Sequence, residues 1–179
     1  MNRSQPVERL DLACPEQRRL YEESFYRAFR QVASSRPLER IWIWDHAAGR
    51  LATRLPYAGR EISVQRDTQG AISVAIAIHH DLTHLQAAAF GFRVPADTPP
   101  ACEVLTLFAH DQHFATKGPF LRQVFGGLYL SGLAVAYATC AERLLRTYVR
   151  RFHATLLDQS HVDGEARYFL SCDLACYAT

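Results

Sequence analysis

The stretch ACEVLTLFAHDQHFATKGPFLRQVFGGLYLSGLAVAYATCAERLLRTYVRRFHATLLD, Ala101 to Asp158, decides how the rest of the chain is read. It parses as strand, loop, helix, strand, helix, strand. CEVLTLFA is short and apolar, with Pro99-Pro100 before it and HDQH after it, the pattern of a buried strand. Pro119 suits the first turn of a helix, where a backbone N–H is not needed, and Phe120, Leu121, Val124, Phe125 and Leu128 follow at helical spacing. Gly132 is placed to end that helix. LAVAYATC reads as a second strand feeding AERLLRTYVRRF, which sorts Leu144, Leu145, Tyr148, Val149 and Phe152 onto one helix face and Arg143, Arg146, Arg150 and Arg151 onto the other. ATLLDQS makes a third strand. Strands joined through a helix pack most simply as parallel neighbours.

Working outward, EISVQRD and AISVAIAIHHD flank the turn signal Thr68-Gln69-Gly70 and make a hairpin whose more apolar second arm belongs inside the sheet. Upstream, Pro15 opens a helix carrying Leu20, Tyr21, Phe25, Ala28, Phe29 and Val32 on one stripe, ended by Ser34, Ser35 and Pro37. ERIWIWDH alternates as a strand with Trp42 and Trp44 on one face, and Ala47 to Gly59 is turn-rich and reads as a loop. Leu82 to Phe90 suits a short helix, and Gly91 to Pro100 a loop. Downstream, Asp163-Gly164 closes a hairpin onto ARYFLSCDL. Residues 1–13 form an arm or an edge strand across VERLDLA.

Composition bounds the function. The 179 residues suit one domain with a full core, and an apolar content of 49% excludes disorder. No apolar run reaches a membrane span and MNRSQPVERLDL lacks a signal-type segment, so the expectation is a cytoplasmic protein. A net charge of +2 with no basic tail argues against a nucleic-acid partner. Lysine occurs once, at Lys117, so nearly all positive charge is arginine. Cys14, Cys102, Cys140, Cys172 and Cys176 include no close CxxC pair and imply neither a disulfide framework nor structural zinc.

Glu103 on the central strand, QVFGG from Gln123 to Gly127, and Tyr148 in the last helix carry a resemblance to the GNAT acyltransferase fold, in particular to its N-acyl amino acid synthase and acyl-homoserine-lactone synthase branch. It covers roughly Cys14 to Asp173 in element order. The resemblance implies an α/β (α+β) fold with a mixed central sheet, antiparallel N-terminal strands, a splayed parallel pair in the middle and flanking helices. It implies N-acyl transfer from an acyl thioester, on acyl carrier protein or coenzyme A, to a small amine, with an amino acid favoured. Glu103 would take the amine proton, directly or through water, and Tyr148 would protonate the departing thiolate. Gln123, Gly126 and Gly127 would lie near the phosphate of the donor, and Phe108, Phe120, Val124 and Phe125 would line the acyl slot. The family pattern of Glu, two residues, Arg is broken at Thr106, which counts against a homoserine lactone product.

Each of these residues also has a structural reading. Glu103 can sit at a strand end facing solvent or an arginine, the glycines can serve helix packing, and Tyr148 can be core. The arginine face suits docking of an acidic carrier protein and equally a solvated helix. A rival reading is a metal-dependent hydrolase built from His79, His80 and His84 with His110 and His113, although neither cluster has a known ligand motif and the first reading expects no metal. A non-catalytic acyl-binding domain is the third. VFGGLYLSGLAVAYATC resembles the buried helix of hotdog thioesterases, but too little chain follows it for that fold's strands.

Overall fold

The computed structural model describes residues 6–32, 35–110 and 114–178, with 114–116 as backbone only. Its strands are β1 (Glu8–Arg9), β2 (Trp42–Asp45), β3 (Arg50–Thr53), β4 (Arg60–Arg66), β5 (Ile72–His79), β6 (Ala101–Ala109), β7 (Val135–Ala141), β8 (Ala154–Val162) and β9 (Glu165–Asp173). The helices are α1 (Pro15–Phe29), α2 (Arg36–Glu39), α3 (Phe114–Leu130) and α4 (Glu142–Arg151), with short 3-10 turns at Arg30–Val32, Ala87–Phe90 and Leu174–Tyr177.

Seven strands form one sheet in the order β1-β4-β5-β6-β7-β9-β8, and β2-β3 form a separate hairpin. β4, β5 and β6 run antiparallel in sequence, and β6 pairs with β7 in parallel. This is the expected mixed sheet, with the β4–β5 hairpin in its expected place. Two layers cover it. On one face α1 and the β2–β3 hairpin bury Tyr21, Phe25, Trp42, Leu51, Ile62 and Phe108; on the other, α3 and the C-terminal turn bury Phe120, Leu121, Val124, Phe125 and Leu174.

Several expectations change. α3 starts at Phe114, so Pro119 lies inside it, past the first turn, and its missing N–H leaves one backbone hydrogen bond of the helix unmade. The loop read from Ala47 to Gly59 contains β3, whose Leu51 is fully buried while Arg50 and Thr53 hide the strand pattern. β8 is not a neighbour of β7. Its tight hairpin with β9 brings the more apolar β9, with Tyr168 to Leu170 buried, into the inner position and leaves the exposed β8 at the edge. On α4, Leu144 and Val149 are exposed while Phe152 is buried. The hotdog reading also fails, because the helix ends before Ala134 and a strand follows. Gly132 adopts φ +98°, its N–H meets the Tyr129 carbonyl at 2.9 Å and that of Leu133 meets Leu128 at 3.1 Å, a left-handed stop that favours glycine.

No helix of the described residues is long and apolar enough to cross a membrane.

The two helix glycines differ. A Cβ on Gly126 would lie 2.9 Å from the backbone oxygen of Tyr177, whereas one on Gly127 would meet nothing within 4 Å. Gly126→Ala should therefore destabilise the fold by roughly 1–3 kcal/mol through forced separation of α3 from the C-terminal turn. Gly127→Ala should stabilise it by about 0.5–1 kcal/mol through helix propensity. Urea unfolding of both variants checks the opposite signs.

Candidate active site

The cleft begins where β6 and β7 stop pairing. Their parallel register runs from Ala101–Val135 to Val104–Ala138 and no further. At the same point β6 carries a bulge against β5: Ile78 pairs with Val104 and Ala77 with Thr106, leaving Leu105 as the extra residue. A bulge bends its strand and increases local twist. It turns the second half of β6 away from β7 and presents Leu105 and Thr106 to the α1 face. Between the diverging strands lies a cavity of about 530 Å³, bounded by Leu105, Thr106 and Leu107 of β6 and by Thr139, Cys140 and Ala141 of β7. Its outer walls come from Phe29, Leu38 and Trp42 on one side and from Arg143, Tyr148 and the Gly164–Arg167 segment on the other.

Polar contacts hold these walls together. Arg40 donates to both carboxylate oxygens of Asp163 at 2.8 and 2.9 Å, and Ser35 donates to Glu165 at 2.9 Å. Arg167 reaches Glu165 at 3.0 Å and the Ser35 hydroxyl at 3.3 Å through one nitrogen. Arg167 is 5% exposed, and its Nε has no hydrogen-bond partner among the described residues. Burial pulls its pKa below the usual arginine range, while the Glu165 charge opposes that pull.

Glu103 is 1% exposed and lies behind the cleft rather than on its surface. Its two oxygens accept the backbone N–H groups of Gln86 at 2.7 Å and Ala87 at 2.8 Å, anchoring the 3-10 turn that follows. Desolvation pushes its pKa up to about 7, with the two N–H donors pulling it back. The anchored turn delivers Gln86 to the cavity wall. The Gln86 side chain donates to the Leu105 carbonyl at 2.9 Å, at the divergence, and its Oε1 is buried without a partner among the described residues.

Tyr148 borders two cavities: the main cleft and a small apolar pocket of about 30 Å³ on the α3 face, also lined by Leu107, Leu121, Phe125 and Phe152. Its hydroxyl makes no hydrogen bond among the described residues, and burial raises its pKa well above the usual phenol range. Thr106 shares a hydrogen bond of 2.7 Å with the Tyr21 hydroxyl.

The remaining candidates are dispersed. Phe108 stacks on Phe25 in the α1 layer, across the sheet from Phe120, Val124 and Phe125. Of those four, Phe125 borders the small apolar pocket, and the other three border neither that pocket nor the main cleft. Gln123, Gly126 and Gly127 lie within α3, not in a turn, and Gln123 is exposed. Arg143, Arg146, Arg150 and Arg151 are exposed on α4, with Arg143 at the cleft edge.

The histidine clusters cannot meet as expected, because β5 and β6 are antiparallel. His79 opposes Glu103 at one end, and the His110 N–H meets the Ser73 carbonyl at the other, on the order of 20 Å away at the rise of a strand. His79 is buried beside Arg60, His80 faces Glu61, His84 pairs with Asp81, and His110 bonds Ser24. His113 lies outside the described residues. Among the described residues no group of three side chains could hold a metal ion.

Arg167 and Gln86 were missed by pattern reading. A charge interrupting the apolar run ARYFL was the available signal for Arg167; nothing marked Gln86.

The Glu103 carboxyl titrates near 4.5 when unfolded and near 7 when folded, so the native state binds the extra proton between those values. Stability from this group is greatest below about 4.5, declines as pH rises to about 7, and is level above. Urea midpoints across that range should fall in the wild type and fall less steeply in Glu103→Gln; parallel slopes would contradict the assignment.

No family model matches the sequence, and no curated protein matches it. Solved structures do match the fold. BjaI, a CoA-dependent acyl-homoserine lactone synthase crystallised with SAM and isopentyl-CoA, superposes with a TM-score of 0.71 at 12% identity, over 96% of this chain and 85% of that one. MesI, another CoA-dependent acyl-homoserine lactone synthase, gives 0.70 at 11% identity, over 97% and 91%. A Desulfovibrio desulfuricans protein assigned to the GNAT acetyltransferase family gives 0.55 at 11%, over 94% and 99%. At these identities the likeness is one of architecture: this chain has the GNAT fold, in the form that acyl-homoserine lactone synthases share.

Proposed function

We propose that the protein is an N-acyltransferase that moves a fatty acyl group from a thioester to the amine of a small acceptor. The observation that carries this reading is the gap between β6 and β7, with a larger cleft of mixed polar and apolar lining on one side, a wholly apolar pocket on the other, and Tyr148 bordering both. A thioester makes two matching demands. Its carbonyl needs polar neighbours where the amine attacks, and its tail needs an apolar slot.

In this mechanism the donor carbonyl lies in the gap, where the β6 edge facing β7 has no strand partner. A neutral amine in the larger cleft attacks the carbonyl carbon, the thioester C–S bond breaks, and an amide forms. The Tyr148 hydroxyl, uncommitted among the described residues, supplies a proton to the departing thiolate. The proton lost by the amine passes to water in the cleft. Glu103 acts as a positioning residue: its carboxylate is committed to the turn that carries Gln86. The apolar pocket has about the volume of one water molecule, so a fatty tail enters by displacing Phe125 and Phe152. The exposed arginines Arg146 and Arg150 suit steering of an acidic acyl carrier protein as the donor's carrier.

Lipid extracts of an expressing host, analysed by mass spectrometry, should contain new N-acyl amides, and Tyr148→Phe should slow their formation by the purified enzyme about 100-fold or more. Absence of any amide product from thioester and amine, with folded protein, would sink the reading. Arg146→Glu with Arg150→Glu should weaken capture by acyl carrier protein while leaving transfer from acyl-CoA intact.

A further inference from the structure

We infer that Gln86 is a positioning residue of the reaction: its side-chain amide sets the angle of the peptide at the β6 bulge, and through it the aim of the backbone groups that β6 turns toward the gap. The inference rests on the acyltransferase reading and adds a residue to it. Backbone groups along a strand point alternately to its two neighbours. The Pro100 carbonyl accepts the Ala134 N–H at 2.7 Å, so the even-numbered residues from Pro100 to Val104 turn their N–H and carbonyl groups toward β7. The His110 N–H donates to the Ser73 carbonyl at 2.9 Å, so the even-numbered residues from Thr106 to His110 turn theirs toward β5. The phase reverses at Leu105, the extra residue. Because of that reversal, Leu107 and Ala109 aim their backbone polar groups at the gap.

The extra residue of a bulge stands outside the ladder, so its carbonyl needs a donor from elsewhere. Gln86 supplies one, its side-chain N–H reaching the Leu105 carbonyl at 2.9 Å. The same residue is fastened to Glu103 through its backbone N–H at 2.7 Å, with the Ala87 N–H beside it at 2.8 Å. Gln86 therefore grips β6 at two points, Glu103 before the bulge and Leu105 within it. Other contacts hold the register but not the peptide. The Thr106 hydroxyl bonds that of Tyr21 at 2.7 Å and Phe108 stacks on Phe25 with centroids 5.7 Å apart, which keeps both side chains on the α1 face. Those contacts act through side chains beyond the bulge, whereas the Gln86 bond falls on its carbonyl. Gln86 is 5% exposed, which leaves little room for water to replace its amide. A peptide free to rotate here swings the groups that follow it out of line with the gap, and misplacement on the order of 1 Å can slow a reaction about 100-fold.

Two variants test this. Gln86→Met keeps the side-chain length and the backbone bond to Glu103 but removes the donor. Gln86→Glu lacks the donor as a carboxylate and regains it as a carboxyl, whose O–H can reach the same carbonyl. With lauroyl-CoA as donor and glycine or methylamine as acceptor, Gln86→Met should lower kcat about 10- to 100-fold and move KM for lauroyl-CoA less than about threefold. The rate of Gln86→Glu, taken as a ratio to the wild type at each pH, should recover as pH falls from about 8 to about 6, since burial favours the protonated carboxyl. Full recovery at every pH also supports the assignment, because the carboxyl is then protonated throughout. A packing role for the side chain predicts no such recovery. Independently of turnover, amide hydrogen exchange at Thr106 should be about 10-fold faster in Gln86→Met, roughly the worth of one hydrogen bond. Circular dichroism establishes folding, and if Gln86→Met does not fold, the pH ratio of Gln86→Glu decides. Wild-type kcat or unchanged Thr106 exchange in Gln86→Met, or a Gln86→Glu as slow as Gln86→Met at every pH, overturns the assignment. Faster exchange in Gln86→Met, with no transfer to either amine by the wild type, removes the acyltransferase reading and leaves Gln86 as the residue that fixes the bulge.

Discussion

Strand pairing that begins and then stops is the constraint on which the rest of the molecule depends. Four residue pairs join β6 to β7, enough to set their direction and register, and the bulge at Leu105 ends the pairing while β6 stays fully paired to β5. A buried strand edge is costly wherever its polar groups lack partners. Here part of that cost is met by Gln86, whose amide takes the Leu105 carbonyl, and the opened edge faces a cavity instead of packed side chains. Continuing the same register would bring Thr106 opposite Cys140 and remove the cleft.

The buried carboxylate behind the gap belongs to the same device. Glu103 opposes His79 on β5 and Tyr137 on β7, so it stands in the last part of β6 that is paired on both sides. A lone carboxylate at that depth is expensive. Two backbone N–H donors offset the expense and fix the Gln86–Ala87 turn against the sheet. Causation runs from strand to turn to cleft wall: sheet pairing positions Glu103, Glu103 positions the turn, and the turn positions Gln86.

Much of this architecture was legible because it rests on local patterns. Apolar runs marked β5, β6 and β7, helical stripes marked α1 and α3, and Asp163-Gly164 marked the last hairpin. What escaped was set by distant partners. β3 carries only one fully buried aliphatic residue, Leu51, and depends on α1 above it. The pair Gly126-Gly127 matched a phosphate turn in residue type, but helix periodicity continues through it and the C-terminal turn presses on Gly126. Arg167 and Ser35 are separated by 132 residues, and Gln86 is 17 residues from Glu103. No spacing rule links them, because the sheet order and the β6 bulge bring them to one cavity.

The two walls of the cleft are held by different kinds of force. The β6 wall is part of a seven-stranded sheet with apolar cores on both faces, so moving it disrupts ladder hydrogen bonds and buried surface together. The opposite wall, where α2 meets the β8–β9 turn, is fastened by Arg40 to Asp163 and by Ser35 to Glu165. The first of these pairs is solvent-exposed, and such pairs contribute little and are screened by salt. The burial of Pro37 and Leu38, rather than the exposed pair, therefore contributes most to holding α2 in place. One wall is thus set by the sheet and the other by a short helix seated on a few buried side chains.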